Sequence, residues 1–204
     1  MNTANPIETQ IKRRIRSHGR GWCFTPQDHS DLGPNTAIRK ALSRMVREGF
    51  IRRLAHGVYD YPRKHKVLGL LPPSIEAVAK AISKRDHLSI HPSGAFAANL
   101  LGLSEQIPGK VIFLIEGHSR KLKIGKNEII LKKTSPRNMA MANTKTGLVV
   151  EGLRHVGKQN INESVIRKVH SRLTRSDLKD LRNNSRYAPL WIQKIILDLV
   201  KESK

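Results

Sequence analysis

The segment NTAIRKALSRMVREGFIRRL, residues 35–54, decides the fold of the N-terminal third of the chain. Its apolar side chains recur with a helical period, which predicts an amphipathic helix with Asn35 as the N-cap and Gly49 just past the C-terminus. The predicted buried stripe consists of Ile38, Ala41, Leu42, Met45 and Val46. The opposite face carries Thr36, Lys40, Ser43 and Arg47, flanked by Arg39 and Arg44. Such a face is either an ordinary solvated surface or a surface that binds an anion.

The predicted elements on either side of this helix favour the interpretation as an anion-binding surface. Upstream, the sequence predicts a helix over residues 7–18, a short strand at 22–24 and a short helix that starts at Thr25-Pro26. Downstream, residues 50–61 are predicted to form a β-hairpin. This is the order of a winged helix-turn-helix, in which the long helix enters the major groove of DNA and the hairpin, or wing, contacts the backbone. The wing would contribute Arg52, Arg53 and His56.

The charge of the chain favours the anion-binding interpretation. The 204 residues include 38 Lys/Arg and 16 Asp/Glu, a formal net charge of +22. Self-repulsion among so many positive charges opposes compaction, so this imbalance implies an anionic partner such as nucleic acid, a membrane surface or an acidic protein. The excess is +9 in residues 1–70 and +13 in residues 71–204, so both parts of the chain could approach that partner.

Enzyme and metal signals are weak. The single cysteine, Cys23, excludes an intrachain disulfide and a cysteine-rich zinc site. His87 and His91 lie four residues apart but lack the glutamate of a metalloprotease motif, and 16 carboxylates are few for a two-metal nuclease. We therefore expect no catalysis, no metal and no cofactor, and keep a metal-independent enzyme acting on nucleic acid as a minor alternative. Without a signal-peptide or membrane-spanning run, a soluble cytoplasmic protein is expected.

The rest of the chain predicts a second domain, so the overall class is α+β. Pro72-Pro73 marks a boundary, which gives a winged helix-turn-helix at 1–66 and a C-terminal domain at 67–204. The latter is predicted to contain a small antiparallel sheet, with a hairpin turn at 125–127, and several helices. Its last helix, residues 189–200, has more apolar surface than one stripe needs. That helix is either buried on two sides or part of a dimer or partner surface.

Four runs in this order resemble the AbiEi-like antitoxins of bacterial type IV toxin–antitoxin systems. They are GRGWCFTPQDHSDLG (19–33), ALSRMVREGFIRRLAHGVYDYP (41–62), HPSGAFAANLLGLSEQIP (91–108) and LKKTSPRNMA (131–140). The resemblance implies an N-terminal winged helix, a C-terminal antitoxin domain and a role in phage defence. It also implies repression of the protein's own operon, through inverted repeats in double-stranded DNA that a homodimer could occupy, and neutralisation of a nucleotidyltransferase-like toxin.

The residue pattern and the resemblance together give one set of candidate DNA contacts. These are Thr25, Asn35, Thr36, Arg39, Lys40, Ser43, Arg44, Arg47, Arg52, Arg53 and His56. The resemblance does not carry the fine specificity, because the side chains of a recognition helix change between operators. The alternative function is a stand-alone winged-helix transcriptional regulator, or an RNA-binding module, without a toxin.

Overall fold

The computed structural model describes residues 6–106, 108–125 and 127–201. The protein is a mixed α+β structure that divides into two compact units, residues 1–88 and 89–204. No helix in the described part of the chain is both long enough and apolar enough to cross a membrane.

The first unit combines three main helices with a small sheet. In chain order its first elements are helix α1 (Pro6–His18), strand β1 (Cys23–Phe24), a 3-10 helix (Pro26–Leu32), helix α2 (Asn35–Arg47), strand β2 (Arg52–Ala55) and strand β3 (Val58–Asp60). They are followed by the short strands β4 (Lys64–His65) and β5 (Gly69–Leu70) and by helix α3 (Ile75–Asp86). Strand β3 lies between β1 and β2 and is antiparallel to both. Strands β4 and β5 form a separate two-stranded hairpin.

The helical period predicted for residues 35–49 is confirmed. Four residues of the α2 stripe, Ile38, Ala41, Leu42 and Met45, are buried, and Val46 packs against the same core. Ile11 and Ile15 of α1 complete this core and are fully buried. Gly49 follows α2 with a φ of 68°, a left-handed conformation that glycine adopts without a steric penalty. The inward face of α2 therefore holds the first unit together.

Two details of the helix starts differ from the prediction. Pro34, rather than Asn35, occupies the N-cap position of α2, and Asn35 is the first helical residue. The Asn35 side chain accepts a hydrogen bond from Arg39 Nε at 2.8 Å, so it does not cap the helix. The segment after Thr25 is a 3-10 helix, which Thr25 and Asp28 start with a reciprocal capping box.

The boundary between the units lies further along the chain than the predicted division at residue 66. Residues 67–88 belong to the first unit because α3 packs against β1 and β3. Lys84 forms an ion pair with Asp28, and Arg85 donates a hydrogen bond to the carbonyl of His56. The prolines at 72 and 73 therefore mark a loop within the first unit.

The second unit contains a four-stranded sheet and a group of helices. Its elements are β6 (Ile90–Ser93), α4 (Gly94–Leu100), β7 (Lys110–Ile115), β8 (Arg120–Ile124), β9 (Asn127–Lys133), α5 (Pro136–Met139), α6 (Lys145–Val156), α7 (Glu163–His170), α8 (Arg175–Asn184) and α9 (Leu190–Lys201). Short 3-10 helices occupy Lys158–Asn160 and Ser185–Tyr187. The buried residues of α9, Ile192, Ile196 and Leu199, pack in one core with α6 and α8.

The predicted antiparallel sheet is a mixed sheet. The strand order is β6-β7-β9-β8, and β7 pairs with β9 in parallel, while the other two pairs are antiparallel. The parallel pair arises because the chain passes from β7 to the edge strand β8 and then returns as β9 between them. The predicted hairpin between β8 and β9 is confirmed, although Lys126 of its turn lies outside the described residues.

Candidate nucleic-acid interface

The outward face of α2 carries the largest group of candidate contact residues. Thr36, Lys40, Ser43 and Arg47 are exposed, as are Asn35 and Arg39. In the part of the chain that the structure describes, Arg39, Lys40 and Arg47 have no carboxylate within 4 Å. A basic side chain that no carboxylate neutralises keeps its charge available for phosphate or base edges, and Arg39 commits only its Nε, to the Asn35 side chain. These three cations are therefore available to an anionic ligand.

Arg44 lies on the same helix but is engaged in an ion pair. Its Nε donates to Glu8 Oε2 of α1 at 2.8 Å, and Lys12 bonds both Glu8 and Glu48 at 2.9 Å. The hydrogen bond from Lys12 is the main reason that the pKa of Glu8 is lowered, with Arg44 adding to the effect. Arg44 therefore helps to hold α1 against α2, and releasing it to a ligand would leave Glu8 with one cation fewer.

Two neighbouring arginines of the β2–β3 hairpin have different environments. Arg52 makes a bidentate pair with the fully buried Asp60, with Nε–Oδ1 and Nη2–Oδ2 distances of 3.0 and 2.6 Å. Its Nη2 also donates to the carbonyl of Leu71 at 2.8 Å. Arg53 is exposed, and its Nη2 lies 3.2 Å from Nδ1 of the exposed His56. Arg53 and His56 are available to a ligand, whereas Arg52 neutralises a buried carboxylate.

Thr25 is not at the surface, which corrects its inclusion among the candidate contacts. The residue is fully buried, and both its backbone N–H and its hydroxyl donate to Asp28 Oδ2, at 2.7 and 3.0 Å. The sequence signal was the Thr-Pro pair, which marks a helix start. The buried hydroxyl is held by the Asp28 carboxylate at that helix start and has no access to a nucleic acid.

The 3-10 helix before α2 holds a buried histidine, His29, which no motif in the sequence marks. His29 packs edge-on against Phe24 and Trp22, with ring-centroid distances of 5.4 and 5.9 Å. Among the described residues neither ring nitrogen has a hydrogen-bond partner. Burial lowers the pKa of His29 to about 4, with nearby Arg14 adding to the effect, so the ring is neutral at pH 7. The histidine joins the 3-10 helix to the aromatic residues around β1.

A further basic segment follows the β2–β3 hairpin. Within it, strands β4 and β5 pair as an antiparallel hairpin. His65 Nδ1 lies 3.3 and 3.2 Å from the amides of Val67 and Leu68, which orders the turn. Arg63, Lys64 and Lys66 are exposed beside it. The only sequence signal was the basic run PRKHK at 62–66.

The sheet of the second unit presents a separate basic surface. Lys121 and Lys123 of β8, Lys132 of β9 and Lys110 of β7 are all exposed. The strand register places Lys110, Glu128 and Lys123 in one row across the sheet, and Ile112, Ile130 and Lys121 in the next. Directly opposed residues point to the same side of a sheet, so these lysines share one face. Lys121 and Lys123 alternate in the sequence with Leu122 and Ile124, a pattern typical of a strand with one basic and one apolar face.

Comparison with known proteins identifies the family of this chain. The family of unknown function DUF6088 matches residues 10–181. The chain belongs to the DUF6088 family. None of the curated proteins matches the sequence. The crystal structure of the RV2827C protein from Mycobacterium tuberculosis is similar to this DUF6088 chain with a TM-score of 0.47 and 10% sequence identity, covering 96% of this chain and 75% of that one.

The second unit of this DUF6088 protein also contains a buried polar network. Glu151 of α6 accepts a hydrogen bond from Ser93 Oγ and pairs with Arg154 Nη1 at 2.8 Å. Arg154 also donates to Asn138 Oδ1 at 3.3 Å, which ties α6 to α5. In the sequence, the only indication of this network is the carboxylate of Glu151 within the largely apolar segment of α6. Because each of these groups has a partner, the network is suited to holding α6 in place. Within the described ranges, no group of three or more His, Cys, Asp or Glu side chains could hold a metal.

Proposed function

We propose that residues 1–88 form a winged helix-turn-helix that binds double-stranded DNA through the outward face of α2. The observation that supports this most strongly is the contrast between the two faces of that helix. One face is buried against α1, and the other carries Arg39, Lys40 and Arg47 without a carboxylate partner among the described residues. A helix with this distribution can enter a major groove without exposing its own core.

The β2–β3 hairpin supplies the second contact in this proposal. Arg53 and His56 are exposed on it and can reach the sugar–phosphate backbone as the wing of such a domain. Arg52 and Arg44 act indirectly, since each holds a buried or partly buried carboxylate and so stabilises the hairpin or the α1–α2 pair. The proposed contact set is therefore smaller than the set of basic residues in the segment.

The resemblance to AbiEi-like antitoxins extends the proposal to a biological role. The protein would repress its own operon from inverted repeats, as a homodimer on DNA, in the cytoplasm of a cell defended against phage. The second unit would counteract a nucleotidyltransferase-like toxin, and no catalysis by this chain is proposed. A downstream reading frame for such a toxin supports this role, and its absence favours the alternative of a stand-alone regulator or RNA-binding module.

The test is a gel shift on the DNA upstream of the protein's own gene. Lys40→Ala/Arg47→Ala removes two outward cations from α2 without touching the core. If each side chain contacts a base edge, affinity should fall by about 1–3 kcal/mol per contact. Lys168→Ala/Arg182→Ala is the matched control, because it removes the same charge from exposed positions on α7 and α8. Unchanged binding by the α2 variant, with circular dichroism confirming its fold, would show that this helix does not read DNA.

A salt titration and a competition experiment complete the test. If 6–10 phosphates are contacted, affinity should fall by roughly 10³–10⁵ between 50 and 200 mM salt. Duplex RNA of the same sequence should compete poorly, because its deep, narrow major groove does not admit a helix. Equal competition by RNA would favour the RNA-binding alternative.

A further inference from the structure

The outward face of α9 differs from an ordinary solvated helix face. Leu190 is 77% exposed and Leu197 is 51% exposed. They lie seven residues apart, so they share one side of the helix across two turns. Lys194 and Lys201 fall on the same side and are exposed as well. The inward residues of α9 already fill the core of the second unit, so these leucines are not needed for its packing.

A groove of about 540 Å³ runs along this face. Trp191, Ile195 and the two exposed leucines give it apolar walls, and Lys158 and Lys194 supply its charge. No carboxylate lines it among the described residues. A second groove, of about 590 Å³, lies on the other flank of α9 and is lined by Glu163, Arg167 and Asp198. The second groove carries charges of both signs and so favours neither acidic nor basic ligands. The first groove carries only positive charges and so favours an acidic ligand.

We propose that the groove formed by Lys158 and residues 190–197 binds an acidic amphipathic helix of a partner protein. Apolar side chains of such a helix, at a spacing of three or four residues, would pack against Leu190, Trp191 and Leu197. Its flanking carboxylates would pair with Lys158 and Lys194. Charge selects this occupant, because a groove with two cations and no anion complements an acidic ligand.

The same charges disfavour a second copy of this chain as the occupant. Residues 89–204 contain 21 Lys/Arg and 9 Asp/Glu, so two copies would bring surfaces of +12 together. A self-association through this groove would also desolvate Lys158 and Lys194 of both copies, and no carboxylate among the described lining residues offsets that cost. Nucleic acid would satisfy the lysines but leave the exposed leucines without apolar contact. An acidic amphipathic helix satisfies both.

The experiment uses the full chain and a pair of fluorescently labelled synthetic helices. One peptide has leucines along one face and glutamates elsewhere, and its twin has lysine at every glutamate position. In fluorescence anisotropy the glutamate peptide should bind at least tenfold more tightly than its twin. Leu190→Ser/Leu197→Ser should weaken that binding about tenfold or more, because buried apolar anchors dominate such interfaces. Val67→Ser/Leu68→Ser is the matched control, since it removes two exposed apolar side chains from the first unit and should leave the affinity unchanged.

Charge reversal provides the sharper arm. Lys158→Glu/Lys194→Glu should weaken the glutamate peptide about tenfold and give the lysine twin the tighter binding. Equal affinity for both peptides, no binding by either, or an unaffected Leu190→Ser/Leu197→Ser variant would overturn the proposal. A wild-type dimer in sedimentation equilibrium that Leu190→Ser/Leu197→Ser converts to monomer would assign the groove to a second copy and overturn it too. Because α9 lies outside the first unit, the gel shift above tests the proposed DNA binding separately.

Discussion

Helix α2 of the first unit and helix α9 of the second are similar on one side and different on the other. They have 13 and 12 residues, and each buries a stripe of aliphatic side chains in the core of its own unit. The outward face of α2 is polar and basic, whereas that of α9 alternates leucine with lysine. Since both inward faces pack in a core, the two helices differ chiefly in what their outward faces could bind. Nucleic acid is the partner proposed for the first face, and an acidic protein helix is the partner proposed for the second.

The largest expected effects lie on the inward faces. Leu42→Ala in α2 and Ile196→Ala in α9 should each lower the free energy of unfolding by about 2–5 kcal/mol, through lost burial and the cavity left behind. The outward counterparts, Lys40→Ala and Leu197→Ala, should change it by less than about 0.5 kcal/mol. Chemical denaturation followed by circular dichroism measures all four. A core-sized loss for Leu197→Ala would mean that this leucine packs within the unit, and the contrast with α2 would disappear.

The next prediction concerns the loss of stability at low pH, to which the histidine beside α2 should contribute. His29 packs beside α2, and its pKa in the folded protein is about 4 against an ordinary value of 6.5. The unfolded chain therefore takes up a proton first as the pH falls. The contribution of His29 to the free energy of unfolding is therefore fully present above pH 6.5 and decreases below it. By pH 4 this contribution has fallen by about 3 kcal/mol. His29→Leu should flatten this slope.

A residual slope in that variant is expected from the second unit. Burial also lowers the pKa of His91, so this histidine contributes in the same direction. The measurement is urea denaturation at several pH values between 7 and 4, on the wild type and on His29→Leu. A wild-type slope that His29→Leu leaves intact would show that His29 is not the group that titrates.

These contrasts also mark how far the sequence could predict the structure. The α2 stripe was predictable because helical period and burial follow from the same five side chains, and the strands of the second unit were predictable from their alternation. The parallel pairing of β7 with β9 was not, because it depends on the path of the chain between distant strands. The end of the first unit was missed for a similar reason. The contacts of α3 with β1 and β3 join residues far apart in sequence, while two adjacent prolines suggested a boundary.

The candidate site shows the same limit at the level of single residues. Exposure of Lys40 and Arg47 follows from helix geometry, which the sequence determines. The burial of Thr25 and the pairing of Arg52 depend on Asp28 and Asp60, and only the folded chain brings these groups into contact in a fixed geometry. A basic side chain in a predicted interface is therefore a candidate until the structure shows whether an acidic neighbour already holds it.

The smallest and most selective prediction uses two adjacent arginines to test that point. Arg52→Ala leaves the buried carboxylate of Asp60 without its cation and should cost about 2 kcal/mol of stability, below the 3–5 kcal/mol of a fully buried pair because Arg52 is 29% exposed. Arg53→Ala removes an exposed side chain and should leave stability within about 0.5 kcal/mol of wild type, while weakening DNA binding by about 1 kcal/mol as one phosphate contact is lost. The two variants change the same charge on the same strand, so each controls the other. Chemical denaturation and gel shifts measure the stability and the DNA affinity of both variants. The proposal requires that Arg52→Ala mainly lowers stability and that Arg53→Ala mainly lowers affinity. If Arg52→Ala instead lowered affinity at unchanged stability, Asp60 would tolerate its isolation, and Arg52 would belong with the DNA contacts.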